Sequence, residues 1–263
     1  MLKKELKNNL GSFIIWTSIL LVLFLIVFLV YPSIVNSGNM SLMDEMLNIF
    51  PEDILKAFNM DLASIDTAFG WLKTEGFVFV LLITGIYSGI LGSNILLKEE
   101  NDKTIEYLNS LPITRNKIII NKIICSFIYI FFMIFILGLF NFICLNLSGT
   151  FDKKLFFLLS ITPLFSSIVI YSLCLFLSTF THKTNKTLGV SIGIVFISYF
   201  LLILSEINEK VEWLKYISIF SLADIRNVIV NININSLTMV LSFVITLSFI
   251  ILTFIKYNKK ELI

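Results

Sequence analysis

Gly189-Val190-Ser191-Ile192-Gly193 fits G-x-S-x-G, the pattern that presents a nucleophilic serine. That chemistry needs a strand-to-helix turn, and a histidine and an acid to activate the hydroxyl. Here the pattern lies inside an apolar run, and the single histidine, His182, sits in a polar loop. Gly189 and Gly193, four residues apart, read better as a helix-packing face. A metal-dependent intramembrane protease needs two histidines or equivalent ligands, and Glu99-Glu100 with one histidine does not supply them. His182 reads as a surface residue of its loop. A phosphate loop needs Gly-Lys, and none of the 11 glycines precedes a lysine. ATP hydrolysis by this chain is thus excluded on motif grounds. Cys125, Cys144 and Cys174 all fall in apolar runs and are odd in number. They offer no disulfide framework or metal spacing and read as small buried side chains. No metal or cofactor is expected on the chain itself.

The elements that would position any site are long apolar runs. Hydrophobic residues make up 57% of the chain and charged residues 14%, against about 25% charged in soluble domains. Mean hydropathy is +0.93. A bilayer core of about 30 Å takes about 20 apolar residues of helix. Six runs are candidates: 13–31, 77–97, 123–145, 155–180, 188–204 and 237–255. The expected fold is therefore all-α, a polytopic membrane protein, with 1–263 as one transmembrane domain. None of the six runs contains Asp, Glu, Lys, Arg or His. A secondary transporter needs ionisable groups in the bilayer to carry ions or protons. Their absence points to an energy source outside the spans.

The flanking segments carry their own patterns. In residues 1–12, Leu2, Leu6 and Leu10 alternate with Lys3, Lys4 and Lys7. This is either a basic amphipathic helix in the headgroups or a basic flank orienting the first span. The first run is longer than the 7–15 residues of a signal h-region and is expected to stay as an anchor. Residues 32–76 hold seven acids and two lysines. Stripes at Met43, Met46, Leu47, Phe50 and at Ile54, Leu55, Phe58 suggest two short amphipathic helices. Such helices would cap a pathway or only shield apolar surface. Gly85, Gly89 and Gly92 in the second run permit close helix approach. Pro163 kinks the fourth run or marks its boundary. In 205–236, Ile207, Val211, Leu214 and Ile217 form a helical stripe. Ser221 and Asp224 resemble a capping box for a second helix.

Orientation follows from the basic residues. Both ends and the loops 98–122 and 181–187 hold 13 of the 20 lysines and arginines. The other seven are spread over much longer segments. Lys and Arg favour the cytoplasm, so both termini and the 98–122 segment are expected there.

That segment, KEENDKTIEYLNSLPITRNKIIINK, is the densest charged stretch. Ile105, Leu108 and Leu111 recur every three residues and share a stripe. Thr104 suits an N-cap and Glu106 the first turn. Pro112 stops the element, and Thr114 caps the next helix. It reads as a short amphipathic helix or as a solvated loop with a chance turn. The pattern Glu100, Thr104, Glu106, Leu108, Pro112, Arg115, Lys122 resembles permeases of the type-2 export family of ATP-binding-cassette transporters. These carry an acidic residue, Gly-Thr-x-Glu-x-Leu, a proline, often an arginine, then a lysine at the next span. Lys103 departs from the pattern, standing where the family usually has glycine. The match covers about 25 of 263 residues, and the span count agrees over the whole length.

The resemblance implies an N-terminal elbow helix, six spans, a cytosolic coupling helix at 104–111 and extracellular helices before the last span. It implies a separate cytosolic ATPase subunit that carries the ATP and Mg, a second permease chain, and residence in the plasma membrane. Ile105, Leu108 and Leu111 would then dock on the ATPase, flanked by Glu100, Thr104, Glu106, Pro112 and Arg115. The alternative is a non-transporting scaffold, sensor or immunity subunit that anchors a cytosolic partner.

Overall fold

The computed structural model describes residues 1–36, 67–105, 112–207 and 209–260. Among these residues every regular element is helical. In order, the elements are α1 (Leu2–Asn36), α2 (Ala68–Trp71) with a π-helical turn (Leu72–Gly76), α3 (Phe77–Ile95), α4 (Lys98–Asn101) and α5 (Arg115–Ser148). Then come α6 (Lys153–Ser178), α7 (Thr184–Ile207), two 3₁₀ turns (Glu209–Tyr216 and Ile219–Ala223), α8 (Ile225–Asn231) and α9 (Ser236–Lys259).

Six of these helices, α1, α3, α5, α6, α7 and α9, are long and apolar enough to cross a membrane. They match the six expected runs. α1, α5, α7 and α9 extend beyond the expected runs, because hydropathy cannot see a helix continue into polar sequence, whereas α3 and α6 each stop two residues short at their C-terminal ends. At about 1.5 Å per residue, the 34 residues of α5 span roughly 51 Å, well beyond a bilayer core of about 30 Å. The extension is capped as expected: Thr114 Oγ1 accepts a hydrogen bond from Lys117 N at 3.4 Å. Pro163 lies buried inside α6, which runs on through it.

One open reading is narrowed and one expectation is corrected. Residues 1–12 are helical but not a helix apart from the first span, since α1 continues unbroken from them into it, as a basic flank of that span would. The reason is local. The stretch is held against α5 and α4: Tyr129 Oη donates to Leu6 O, and Lys98 Nζ donates to Asn8 O at 3.1 Å. Lys3, Lys4 and Lys7 stay exposed while Glu5 and Asn9 turn inward. Nor do Ser221 and Asp224 form a capping box. Ser221 Oγ donates back to Ser218 O at 2.7 Å. Asp224 adopts the left-handed conformation (φ 47°, ψ 41°) at the start of α8, with no side-chain cap bond. An aspartate tolerates that region better than most residues. The stripe expected through Leu214 winds as a 3₁₀ turn. The amphipathic helices expected within 32–76 fall mostly at 37–66, outside the described residues.

The core is built on α6, which packs most extensively on α3 and then on α9. Its inward face is rich in serine: Ser166, Ser167, Ser172 and Ser178 are fully buried. Small residues let backbones approach, and α3 exploits this. A Cβ on Gly92 would lie 2.5 Å from Tyr171 O, and one on Gly85 would lie 2.7 Å from Phe220 Cζ. At Gly89 the nearest contact would be an ordinary 3.6 Å. So Gly85 and Gly92 set the spacing, and Gly89 lies on the same face with room to spare. Gly189 and Gly193 differ. A Cβ on either meets nothing within 4 Å. Within this chain the packing face of α7 is instead Thr187, Ser191, Val195 and Ser198, all buried.

Candidate functional site

Both ends of the chain meet at one end of the bundle, here called the terminal face, where α4 and the start of α5 also lie. α3 closes at Ile95, and the buried Leu96 and Leu97 carry the backbone into α4. α4 then ends in a Schellman arrangement. Thr104 N donates to Glu99 O at 2.9 Å, and Lys103 N to Glu100 O at 3.4 Å. Such an ending needs a left-handed residue, usually glycine. Lys103 occupies that place, with φ 54°. The turn therefore forms despite the departure from glycine, at a steric cost of about 1–2 kcal/mol. Lys103→Gly is expected to stabilise the protein by about 0.5–1 kcal/mol, the relief being partly offset by the entropy of glycine. Thermal melting in detergent checks this.

Below this turn sit two ionic clusters. In the first, Lys122 is fully buried on α5. Its ammonium donates to Glu99 Oε1 at 2.7 Å and Oε2 at 2.9 Å, and to Ile95 O at 2.6 Å. Glu5 Oε1 of α1 lies 3.5 Å away. One lysine thus joins α1, the end of α3, α4 and α5. In the second cluster, Glu100 is also buried. Its Oε1 accepts from Lys260 Nζ at 2.8 Å, and its Oε2 lies 2.8 Å from His182 Nδ1. Lys260 Nζ donates to Thr181 O as well, at 2.7 Å. This cluster joins α4 to the α6–α7 turn and to the end of α9. Buried ions persist when paired and hydrogen-bonded; Lys122, Glu99, Glu100 and Lys260 meet that condition, whereas Glu5 keeps one buried carboxylate oxygen, Oε2, without a hydrogen bond among the described residues.

Arg115 closes the arrangement. Its Nη1 donates to Lys260 O at 2.9 Å and Asn258 O at 3.2 Å. A cation on the last carbonyls of a helix suits the helix dipole. Glu100 and Arg115, on either side of the 102–114 segment, therefore both rest on the end of α9: Glu100 through the Lys260 side chain, and Arg115 through the Lys260 carbonyl.

The expected docking residues are distributed as follows. Thr104 and Pro112 are both exposed. Ile105 is buried within the chain itself, 3% exposed. Glu100 and Arg115 face the clusters just described. Glu106, Leu108 and Leu111 lie outside the described residues. Glu5, Glu99 and Lys260 were not among the expected site residues, and His182 is a half-exposed surface group with a carboxylate partner. The one sequence signal for the clusters was a lysine, Lys122, set between Ile118–Ile120 and Ile123. The G-x-S-x-G serine has no catalytic surroundings: Ser191 is fully buried and bonds Ser93 Oγ, while His182 is engaged by Glu100. Among the described residues, no group of three or more His, Cys, Asp or Glu is placed to hold a metal ion.

A family model described as ABC-2 family transporter protein matches residues 1–262. The chain belongs to that family. No curated relative and no solved structure matches it. Membership makes this ABC-2 chain the membrane permease component of an ATP-binding-cassette transporter, associated with an ATP-binding-cassette partner. The two ionic clusters link α3, α4, α5 and α9 of this ABC-2 permease through short charge-assisted contacts.

Proposed function

We propose that this permease exports its substrate by taking force from the ATPase through the 104–111 segment. The observation that carries the reading is the fastening of Glu100 and Arg115, on either side of that segment, to the end of α9. Nucleotide-driven closure of the ATPase pushes on Leu108 and Leu111. The two clusters pass the displacement to α3 and α5 as a tilt. Glu100 and Arg115 hold the segment in place, and Ile105 seats its first turn on the bundle. Thr104, Glu106 and Pro112 flank the docking surface. ATP and Mg stay on the partner. Two permease chains, identical or similar, line the path. In this reading both termini and the 104–111 segment face the cytosol, which the bias of Lys and Arg supports, and the membrane is the plasma membrane.

Leu108→Asp is the direct test. The expected result is normal insertion, loss of at least about tenfold in pull-down of the partner ATPase, and ATPase activity uncoupled from transport. An aspartate in a buried apolar contact carries a desolvation penalty large enough for that loss. Undiminished pull-down would show that the segment does not dock.

A further inference from the structure

At the end of the bundle opposite the termini, a cavity of about 1490 Å³ opens between α7 and α9. That exceeds the roughly 300–1,000 Å³ of ordinary small-molecule pockets. α7 packs mainly on α3, and α9 mainly on α6, with no extensive contact between the two. The cavity is therefore a cleft with an open side, floored by Leu81 of α3 and by Val169 and Leu173 of α6. Its α9 wall runs from Leu237 through Leu241 and Ile245 to Phe249. Twelve residues of helix descend about 18 Å, against about 15 Å for one leaflet of hydrocarbon. Leu237 and Leu241 are 61% and 42% exposed at the open side.

The mouth is chemically different. Glu206, Glu212, Asp224, Lys210, Lys215 and Arg226 line it, three charges of each sign. Lys215 is paired with Glu212, and Arg226 lies within electrostatic reach of Glu206. A net-neutral rim of both signs above an apolar slot one leaflet deep matches a molecule of the same design.

We infer that this cleft takes a zwitterionic phospholipid from the outer leaflet, its acyl chain between α7 and α9 and its headgroup on Arg226 and Glu206. The phosphate faces the guanidinium and the ammonium faces the carboxylate. The lipid reaches the site sideways, through the gap beside Leu237 and Leu241. The inference rests on the proposed orientation for the choice of leaflet. Lipid binding needs no ATPase, so its test stands apart from that of Leu108.

The experiment uses tryptophan fluorescence of the full chain in vesicles. Trp16, Trp71 and Trp213 are changed to Phe, and Leu173→Trp places a probe on the cleft floor. Val244→Trp, at an exposed position of the same α9, is the bulk-lipid control. Phosphatidylethanolamine with brominated acyl chains is expected to quench the probe at 173 strongly. Brominated phosphatidylglycerol is expected to need about tenfold more lipid for the same effect, Glu206→Gln to abolish that preference, and Arg226→Ala to weaken quenching by both lipids. The control is expected to respond to both lipids alike. Should Leu173→Trp not fold, Leu202→Trp reads the same cleft. An unquenched floor probe would overturn the inference. So would equal quenching by both lipids, or a floor covered by a second copy, shown by disulfide cross-linking of Leu241→Cys between chains.

Discussion

Lys122→Met is expected to destabilise the bundle by about 3–5 kcal/mol, the range for breaking a buried ion pair from one side. Lys122 is fully buried, and its loss strands the carboxylates of Glu99 and Glu5. Ile95 O also loses a donor. The triple variant Lys122→Met, Glu99→Gln, Glu5→Gln removes all three charges together. Well-packed neutral replacements of buried ion pairs are often tolerated. The triple variant is therefore expected to regain at least half of the lost stability. Melting of all the variants in one detergent, arranged as a mutant cycle, gives the answer. A single variant that melts like the parent would mean the cluster carries no structural load. The functional arm separates holding from docking. The triple variant should still capture the partner ATPase, because it leaves the 104–111 segment untouched, yet transmit force poorly.

Gly92→Val is the second large effect. Its first side-chain atom would lie 2.5 Å from the carbonyl oxygen of Tyr171 and 3.1 Å from Leu175 N. Both are backbone atoms of α6 and cannot rotate away. α3 and α6 must separate, and overpacking in a tight core costs typically 1–3 kcal/mol. The upper end is expected here, because the strain falls on the most extensive helix pair. Folded yield and melting temperature should both drop. Gly89→Ala on the same face, with ordinary 3.6 Å contacts, is the matched control and should behave almost like the parent. Gly189→Ala, in open space, should be neutral or slightly stabilising, by up to about 1 kcal/mol from helix propensity.

The contrast between these glycines shows what a sequence can hold. Spacing of small residues marks a helix as able to approach a neighbour. It does not say whether a neighbour stands on that side. Gly85 and Gly92 meet Phe220 and Tyr171, whereas Gly189 and Gly193 carry the same spacing and point away from the bundle. The six crossings were legible because the bilayer imposes a length and a polarity that any window can find. Where the helices end was not legible, because α1 and α5 continue on tertiary contacts to charged and polar groups. The Thr114 cap was visible because a cap is a local bond. The partners of Glu100 were not, since Lys260 lies 160 residues away and no local pattern pairs them. Lys103 shows the reverse. It departs from the glycine of the resembled pattern, yet the hydrogen bonds of the α4 ending hold a lysine in the left-handed region.

The Glu100–Lys260 contact also has a temporal side. A ribosome adding about 5–20 residues per second makes the lysine roughly 8–30 s after the glutamate. Throughout that interval the carboxylate has no cation from the end of α9. The pairing completes only once the last crossing has been threaded and brought alongside the others. A newborn chain thus completes this ionic cluster only after its last helix has formed and joined the bundle.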